Sequence, residues 1–141
     1  MTPLERLLDE FDRLDADACA AVFAPDGRLR FADGRVEHGT AAIRAALRGY
    51  FADLRSTDHR MEAQWHVESA WIAEVDANYV LADHSLHGPV SKVFVARMRA
   101  DSIDDLRVYA AGEPSFHEAA VRHELESGRG TFVGGRWMPP L

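Results

Sequence analysis

Length, composition and charge already restrict what this chain can be. At 141 residues, with 47% hydrophobic and 28% charged residues, it is expected to fold as one globular domain with a substantial core. A formal net charge of -7 without a clustered basic stripe argues against nucleic acid as a partner, and no apolar run reaches the ~20 residues of a membrane-spanning helix. The opening MTPLERLLDE lacks the basic start and apolar middle of a signal peptide, so a cytoplasmic location is expected.

The N-terminal segment predicts a helix with an acidic residue at the edge of its buried face. Thr2 and Pro3 form a typical helix start, and leucines with Phe11 then recur at helical spacing. Asp12 follows Leu8 by four residues and therefore lies at the border of the apolar stripe. Most carboxylates at such a border are solvated, and the alternative is a carboxylate directed into a cavity.

A second helix, a tight hairpin and a third helix are predicted next. Their boundaries are helix 17–24, hairpin strands 28–31 and 35–38, and a helix from Gly39 to about Leu54. Pro25-Asp26-Gly27 is a turn signal after the second helix, and Asp33-Gly34 is the strongest hairpin signal in the chain. Tyr50 belongs to the inward apolar stripe of the third helix.

Alternation of apolar and polar residues predicts two long strands in the middle of the chain. Odd-numbered side chains form the dry face of the first strand, residues 57–75, and a turn at 76–78 leads into the second. His59 lies on the dry face of the first strand, and His84 lies on the inward side of the second. This assignment assumes that no bulge shifts the register at Ser69.

An inward histidine admits two interpretations. An imidazole on an apolar face must find a hydrogen-bond partner or a ligand, and a single one is most often a satisfied core residue. Two of them on neighbouring strands favour a cavity lined in part by polar groups. His59 and His84 are therefore candidate catalytic residues, together with Asp12.

The last two strands of the sheet are predicted at 90–100, with Phe94 on one face, and at 103–111. The order of elements predicts an α+β domain over residues 1–112, with helices packed on one face of a curved antiparallel sheet that encloses a conical cavity. Residues 113–141 are predicted to form a short helix and a tail. That tail is expected to cover the cavity, to contact another subunit or to remain in solvent.

Motifs for phosphate, metal or nucleophilic chemistry are missing from the sequence. It contains no phosphate-binding glycine loop, GxSxG, HExxH or CxxC, and its single cysteine, Cys19, cannot form an internal disulfide. His84 and His87 face opposite ways on a strand, which makes them poor joint metal ligands. An aspartate and two histidines suffice to move a proton beside a carbonyl, so no metal or organic cofactor is expected.

Over residues 4–111 the chain resembles the NTF2-like superfamily of cone-shaped α+β domains. The resemblance rests on the order of the elements and on three segments, LLDEFDRLDADACAAVFAPDGRLRF, EHGTAAIRAAL and STDHRM. Within that superfamily the chain resembles the SnoaL-like group, and there the scytalone dehydratase-like subgroup. The resemblance implies three N-terminal helices packed on a curved antiparallel or mixed six-stranded sheet. It also implies a homo-oligomer, with a dimer that pairs through the open sheet face favoured.

The scytalone dehydratase-like subgroup has an aspartate at the end of its first helix and one histidine on each of two neighbouring strands. These positions correspond here to Asp12, His59 and His84. Two tyrosines that polarise the substrate carbonyl in that subgroup correspond here to Phe11 and Phe31, which lack the hydroxyl. The resemblance therefore requires another phenol, and the candidates are Tyr50, which we favour, Tyr79 and Tyr109.

Residues and resemblance together predict a cofactor-independent dehydratase or isomerase. Its substrate would be a small, largely apolar hydroxy-carbonyl metabolite of polyketide, steroid or aromatic type. The residues expected to contact that substrate are Phe11, Phe31, Tyr50, Met61, Trp65 and Phe94. The alternative is a ligand-binding or dimerisation module of the same fold without catalysis, because fold alone does not decide function.

Overall fold

The computed structural model describes residues 1–110 and two short strands at 131–133 and 136–138. The predicted helix and tail in 113–141 lie largely outside the described residues. The elements are helices α1 (Pro3–Asp12), α2 (Ala16–Ala20) and α3 (Thr40–Ala52), and strands β1 (Phe23–Arg30), β2 (Val36–His38), β3 (Leu54–Val67), β4 (Ala70–Leu81), β5 (Leu86–Arg99), β6 (Ser102–Ala110), β7 (Thr131–Val133) and β8 (Arg136–Met138). Within the described part of the chain, no helix is both long and apolar enough to cross a bilayer.

A six-stranded mixed sheet forms one layer of the domain. Its strand order is β2-β1-β6-β5-β4-β3, and all neighbours are antiparallel except β1 and β6, which are parallel. Helices α1 and α3 pack against the sheet, and the buried core lies between the two layers. Strands β7 and β8 pair with each other in a separate antiparallel sheet. The structure confirms the predicted α+β fold with three helices and a six-stranded sheet.

Helix α1 begins where its sequence predicts. The Thr2 hydroxyl accepts a hydrogen bond from the Glu5 backbone N–H at 3.2 Å, and the Glu5 carboxylate accepts one from the Thr2 backbone N–H at 2.9 Å. This capping box fixes the first turn, and the buried Leu4, Leu7, Leu8 and Phe11 then hold the helix on the core. As a result, the last residue of α1, Asp12, lies beside β3.

Two predicted boundaries are wrong. The strand predicted at 57–75 ends at Val67, the chain reverses at Glu68 and Ser69, and the predicted turn at 76–78 lies inside β4. Glu68 adopts the left-handed region, with φ of 55°, which a two-residue hairpin connection requires. Cross-strand pairing along the whole length of β3 and β4 therefore outweighs the turn preference of Asp76-Ala77-Asn78.

The second predicted boundary error concerns the start of the sheet. The helix predicted at 17–24 ends at Ala20, and β1 already begins at Phe23. Pro25-Asp26-Gly27 does not separate two elements. It lies in a register shift of β1 against β6, a position in which proline is tolerated because no ladder hydrogen bond is needed from it.

A β-bulge in β3 changes which side chains face the helices. Met61 pairs with Val75 and Ala63 pairs with Glu74, so Glu62 is an extra residue on this strand. Because side chains alternate with a period of two, one extra residue moves all later odd-numbered side chains to the opposite face. Gln64 consequently faces α1, where its amide oxygen accepts a hydrogen bond from the Thr2 hydroxyl at 2.7 Å.

Gly88, near the start of β5, is expected to tolerate no side chain. Its φ is 134°, and a Cβ atom there would lie 2.7 Å from both the Ala77 carbonyl oxygen and the Asn78 Oδ1 atom. Gly88→Ala is therefore expected to lower the free energy of unfolding by about 2 kcal/mol or more, from backbone strain and steric overlap. Urea unfolding followed by circular dichroism measures this change.

The matched control for Gly88→Ala is Gly49→Ala in the exposed face of α3. No atom lies within 4 Å of the position that its Cβ would take, and its φ is not positive. Alanine is expected to stabilise the protein there by about 1 kcal/mol, because it reduces the entropy lost on helix formation. Equal unfolding midpoints for Gly88→Ala and the unmodified protein would contradict the close approach at Gly88.

Candidate functional site

A cavity of about 330 Å³ lies between α3, the β1–β2 hairpin and the inner face of the sheet. Its volume is within the range of small-molecule sites. The apolar side chains in its lining include Phe11, Leu29, Phe31, Phe94 and Val108. The polar side chains within the cavity are Tyr50, His59 and Lys92, and the charged side chains near its exposed opening are Asp33, Arg35, Glu37 and Asp53.

His59 in the cavity wall is hydrogen-bonded to Asp12, which does not itself line the cavity. The Nδ1 atom of His59 lies 2.6 Å from Oδ1 of Asp12, and the His59 side chain is only 2% exposed. The Asp12 carboxylate also accepts hydrogen bonds from the Thr57 hydroxyl at 2.8 Å and from the His59 backbone N–H at 3.1 Å. These contacts join the end of α1 to the start of β3 and fix the orientation of the imidazole.

The contacts of His59 define which of its ring nitrogens carries a hydrogen. A carboxylate only accepts hydrogen bonds, so Nδ1 is the donor to Asp12, and Nε2 is the nitrogen left for the cavity. The ring is enclosed by aromatic neighbours, with centroid distances of 5.8 Å to Phe11, 6.0 Å to Tyr79 and 6.4 Å to Phe94. A histidine oriented in this way can exchange a proton with a ligand through Nε2.

The electrostatics of Asp12 favour its charged form. Burial acts to raise the pKa of its carboxyl group, but hydrogen bonds from His59 and Thr57 and the charge of His59 act in the opposite direction and prevail. The pKa of Asp12 is therefore below its ordinary value, and the group is a carboxylate at neutral pH. An anion beside Nδ1 stabilises positive charge on the imidazole whenever His59 takes up a proton.

Two tyrosines lie close to His59, one in the cavity wall and one behind it. Tyr50 on α3 lines the cavity, and Tyr79 on β4 lies behind His59, with 2% of its surface exposed. Burial raises the pKa of Tyr50 to about 12, and the Tyr79 phenol acts to lower it. Burial also raises the pKa of Tyr79 above its ordinary value. Both phenols are therefore protonated at neutral pH, and Tyr50, which lines the cavity, can donate a hydrogen bond to a ligand.

Lys92 is a cavity residue that the sequence analysis did not identify. Its ammonium group lies 4.9 Å from the ring centroid of Tyr79, and burial lowers the pKa of Lys92 to about 8. Lys92 shares the inward parity of Val90 and Phe94 on β5. That parity was a signal available in the sequence. Thr57, which shares the parity of His59 on β3, was overlooked in the same way.

A family model described as the SnoaL-like domain matches residues 4–133. The chain belongs to the SnoaL-like domain family. No curated protein matches the sequence significantly.

Solved structures agree with the fold of this SnoaL-like domain. A protein with a ketosteroid isomerase-like fold from Catenulispora acidiphila, solved in complex with trimethylamine, has a TM-score of 0.74 at 14% identity and covers 85% of this chain and 95% of its own. An NTF2-like protein of unknown function from an Exiguobacterium species has a TM-score of 0.68 at 21% identity, covering 79% and 100%. A Jannaschia protein provisionally assigned as a SnoaL-like polyketide cyclase has a TM-score of 0.67 at 13% identity, covering 77% and 83%. At these identities the likeness shows the fold alone, which is the NTF2-like or ketosteroid isomerase-like fold.

The predicted inward position of His84 is wrong for this SnoaL-like domain. Strand β4 ends at Leu81, and His84 lies in the following turn with a φ of 69° and an exposed side chain. The Asp83 carboxylate accepts a hydrogen bond from the Ser85 backbone N–H at 2.9 Å, a local contact typical of turns. The Nη1 atom of Arg55 lies 3.4 Å from Nε2 of His84, and the His84 ring does not line the cavity.

Four of the six predicted contact residues line the cavity, namely Phe11, Phe31, Tyr50 and Phe94. Trp65 does not, because the bulge at Glu62 moves its side chain to the opposite face, where 47% of its surface is exposed. Met61 precedes the bulge and packs against the core, but it does not line the cavity. The structure thus brings together Asp12, His59 and four aromatic residues.

Proposed function

We propose that this SnoaL-like domain is a cofactor-independent dehydratase or isomerase that acts on a small, largely apolar hydroxy-carbonyl compound. The observation that carries the proposal is the buried His59 imidazole, held 2.6 Å from the Asp12 carboxylate in the wall of an apolar cavity. Such a pair provides a general base at Nε2 without a metal or an organic cofactor. His84 has no part in the proposal because it lies in an exposed turn.

The proposed reaction begins with transfer of a proton from the carbon next to the substrate carbonyl to Nε2 of His59. Asp12 stabilises the imidazolium that results, and the Tyr50 phenol donates a hydrogen bond to the enolate oxygen. The imidazolium then returns the proton, either to a leaving hydroxyl group, which gives dehydration, or to another carbon, which gives isomerisation. Phe11 and Phe31 supply apolar walls and leave Tyr50 as the phenol of the cavity lining.

Proton exchange tests this proposal without knowledge of the natural substrate. In D₂O, the protein is expected to accelerate exchange of the α-protons of 2-tetralone, a small apolar ketone. Proton NMR measures this exchange as the loss of the α-proton signal. His59→Gln is expected to reduce exchange to the background rate, since glutamine cannot take up a proton. His66→Ala is the matched control on the same strand: His66 is exposed and stacks on Trp71 with centroids 4.1 Å apart, so exchange is expected to remain unchanged.

A binding function without catalysis is the second candidate. It is supported by the aromatic lining of the cavity and by the related structure from Catenulispora acidiphila, which holds trimethylamine. The same NMR samples distinguish the two functions. Chemical-shift changes of 2-tetralone on binding, with exchange at the background rate for the unmodified protein and for His59→Gln alike, would establish binding and contradict proton transfer.

A further inference from the structure

The chemistry of the basic residues singles out Lys92. The sequence has 16 lysine and arginine residues, and Lys92 is the only lysine among them. It is partly buried in the cavity lining, whereas the arginine of the lining, Arg35, is exposed and bonded to Asp33 at 2.8 Å. The single lysine of the chain therefore occupies the candidate site.

The surroundings of Lys92 leave its amine without an anionic partner among residues 1–110. Its contact there is with the face of Tyr79, 4.9 Å from the ring centroid, and no carboxylate of the described residues lies within ion-pair distance. Its neighbours on the inward face of β5 are the buried Val90 and Phe94. An ammonium group in such a place loses hydration that no ion pair restores.

A lysine in this position has a property that arginine lacks. Burial lowers the pKa of Lys92 to about 8, so roughly a tenth is the neutral amine at pH 7 and about half at pH 8, whereas a guanidinium stays charged throughout that range. A neutral amine has a free electron pair and is a nucleophile. Arginine at this position would supply charge but no nucleophile.

We propose that Lys92 forms a covalent iminium ion with a small, apolar aldehyde or ketone that enters the cavity. The neutral Nζ adds to the carbonyl carbon, and a proton moves from nitrogen to the former carbonyl oxygen. The resulting hydroxyl group takes one proton from solvent and leaves as water, which produces the C=N⁺ bond. The iminium acidifies the adjacent C–H bond, so its proton can pass to His59 and leave an enamine. This inference rests on the proposed function only in that the same kind of carbonyl compound occupies the cavity.

Reductive trapping tests the inference. The full chain is incubated with 2-tetralone and sodium cyanoborohydride, which supplies hydride to an iminium and converts it into a stable secondary amine. Mass spectrometry of peptides is expected to place the adduct on Lys92. Because this is the only lysine, the N-terminal amine of Met1 is the one competing primary amine, and Met1 is exposed and in a separate peptide.

Trapping is also expected to increase as the pH is raised towards 8, because the neutral fraction of Lys92 increases. The other titratable or charged groups that face Lys92 or line the same cavity are Tyr79 on β4, Tyr50 and Asp53 at α3, His59 on β3, and Asp33, Arg35 and Glu37 on the hairpin. The contribution of His59 is separated from that of Lys92 by recording the pH dependence for His59→Gln as well.

Matched variants decide the result. Lys92→Arg keeps the charge and Lys92→Met keeps the length, and both are expected to lose the adduct entirely while near-ultraviolet circular dichroism confirms the fold. His59→Gln is expected to retain the adduct even though it loses α-proton exchange, so failure of the proposed acid–base function and failure of this inference give different results. Adduct on Met1 alone, or equal adduct in the unmodified protein and in Lys92→Met, would overturn the role of Lys92.

Discussion

Asp12→Asn is expected to slow α-proton exchange of 2-tetralone by about 10³-fold. The carboxylate accepts three hydrogen bonds, two of them from His59 and one from Thr57. An asparagine has one acceptor oxygen and one donor nitrogen, so at least one of these donors meets another donor. The imidazole is then free to turn or to change its tautomer, and it loses the anion that stabilises its protonated form.

The same substitution is expected to lower the free energy of unfolding by about 2 kcal/mol at neutral pH, because it leaves buried donors unsatisfied. The Asp12 side chain itself is 28% exposed, so the loss is smaller than for a fully buried ion pair. The pKa of Asp12 is lowered in the folded state, so its contribution to stability is full above the ordinary value of 3.8. That contribution is lost as the pH falls through the folded-state pKa. The difference between the two proteins should therefore shrink in acid.

Chemical denaturation at neutral pH and in acid measures the stability change, and the NMR exchange assay measures the rate. Asp9→Asn is the matched control, since Asp9 lies one turn earlier on α1 and is exposed. Asp9→Asn should change the free energy of unfolding by no more than a few tenths of a kcal/mol and the exchange rate by no more than about twofold. An Asp12→Asn protein with the unmodified exchange rate would remove the catalytic role of the pair.

Lys92→Met is expected to raise the free energy of unfolding by about 2 to 3 kcal/mol at pH 7. The pKa of Lys92 is lowered from 10.5 to about 8, which corresponds to an upper limit of about 3 kcal/mol, and the partial exposure of this residue reduces it. Below the folded-state pKa both states are protonated, so the folded protein bears the full cost of a buried ammonium group. Methionine removes that cost and keeps a similar apolar length.

The sign of the pH dependence makes this expectation specific. Between about 8 and 10.5 the folded protein has released the proton of Lys92 while the unfolded chain still holds it, so the stability of the unmodified protein should increase with pH. The advantage of Lys92→Met should shrink over the same window. Urea denaturation across this pH range measures both.

Lys92→Arg is the control for that pH dependence. Its guanidinium keeps its charge, so the cost of burial should persist and no gain in stability should appear between pH 8 and 10.5. Equal stabilities of the unmodified protein and Lys92→Met at pH 7 would show that the ammonium group is hydrated or paired. That outcome would also weaken the case for Lys92 as a neutral nucleophile.

Local signals in the sequence were sufficient for much of the fold. The capping box at Thr2 and the leucine spacing identify α1, and the hairpin signal Asp33-Gly34 joins β1 and β2 as predicted. These signals depend on residues within a few positions of one another, so neighbours in the chain determine the outcome. The position of Asp12 at the end of α1 followed from the leucine spacing, and the inward parity of His59 followed from the alternation of apolar and polar residues along β3.

Long-range pairing explains what the sequence analysis missed. The turn at Glu68 and the bulge at Glu62 depend on how β3 matches β4 along its length, which no short segment encodes. For that reason Trp65 was assigned to the wrong face. His84 was placed on a strand that the structure ends at Leu81.

By itself, the sequence determined the order of helices and strands and selected Asp12 and His59 as candidate site residues, but it left open which histidine pairs with Asp12. Only the tertiary structure decided that His84 is exposed and that Lys92 shares the cavity with His59. The physical reason is that alternation along one strand assigns a side chain to a face. Which residues meet on that face depends on the register between strands, and register is set by contacts between residues far apart in the chain.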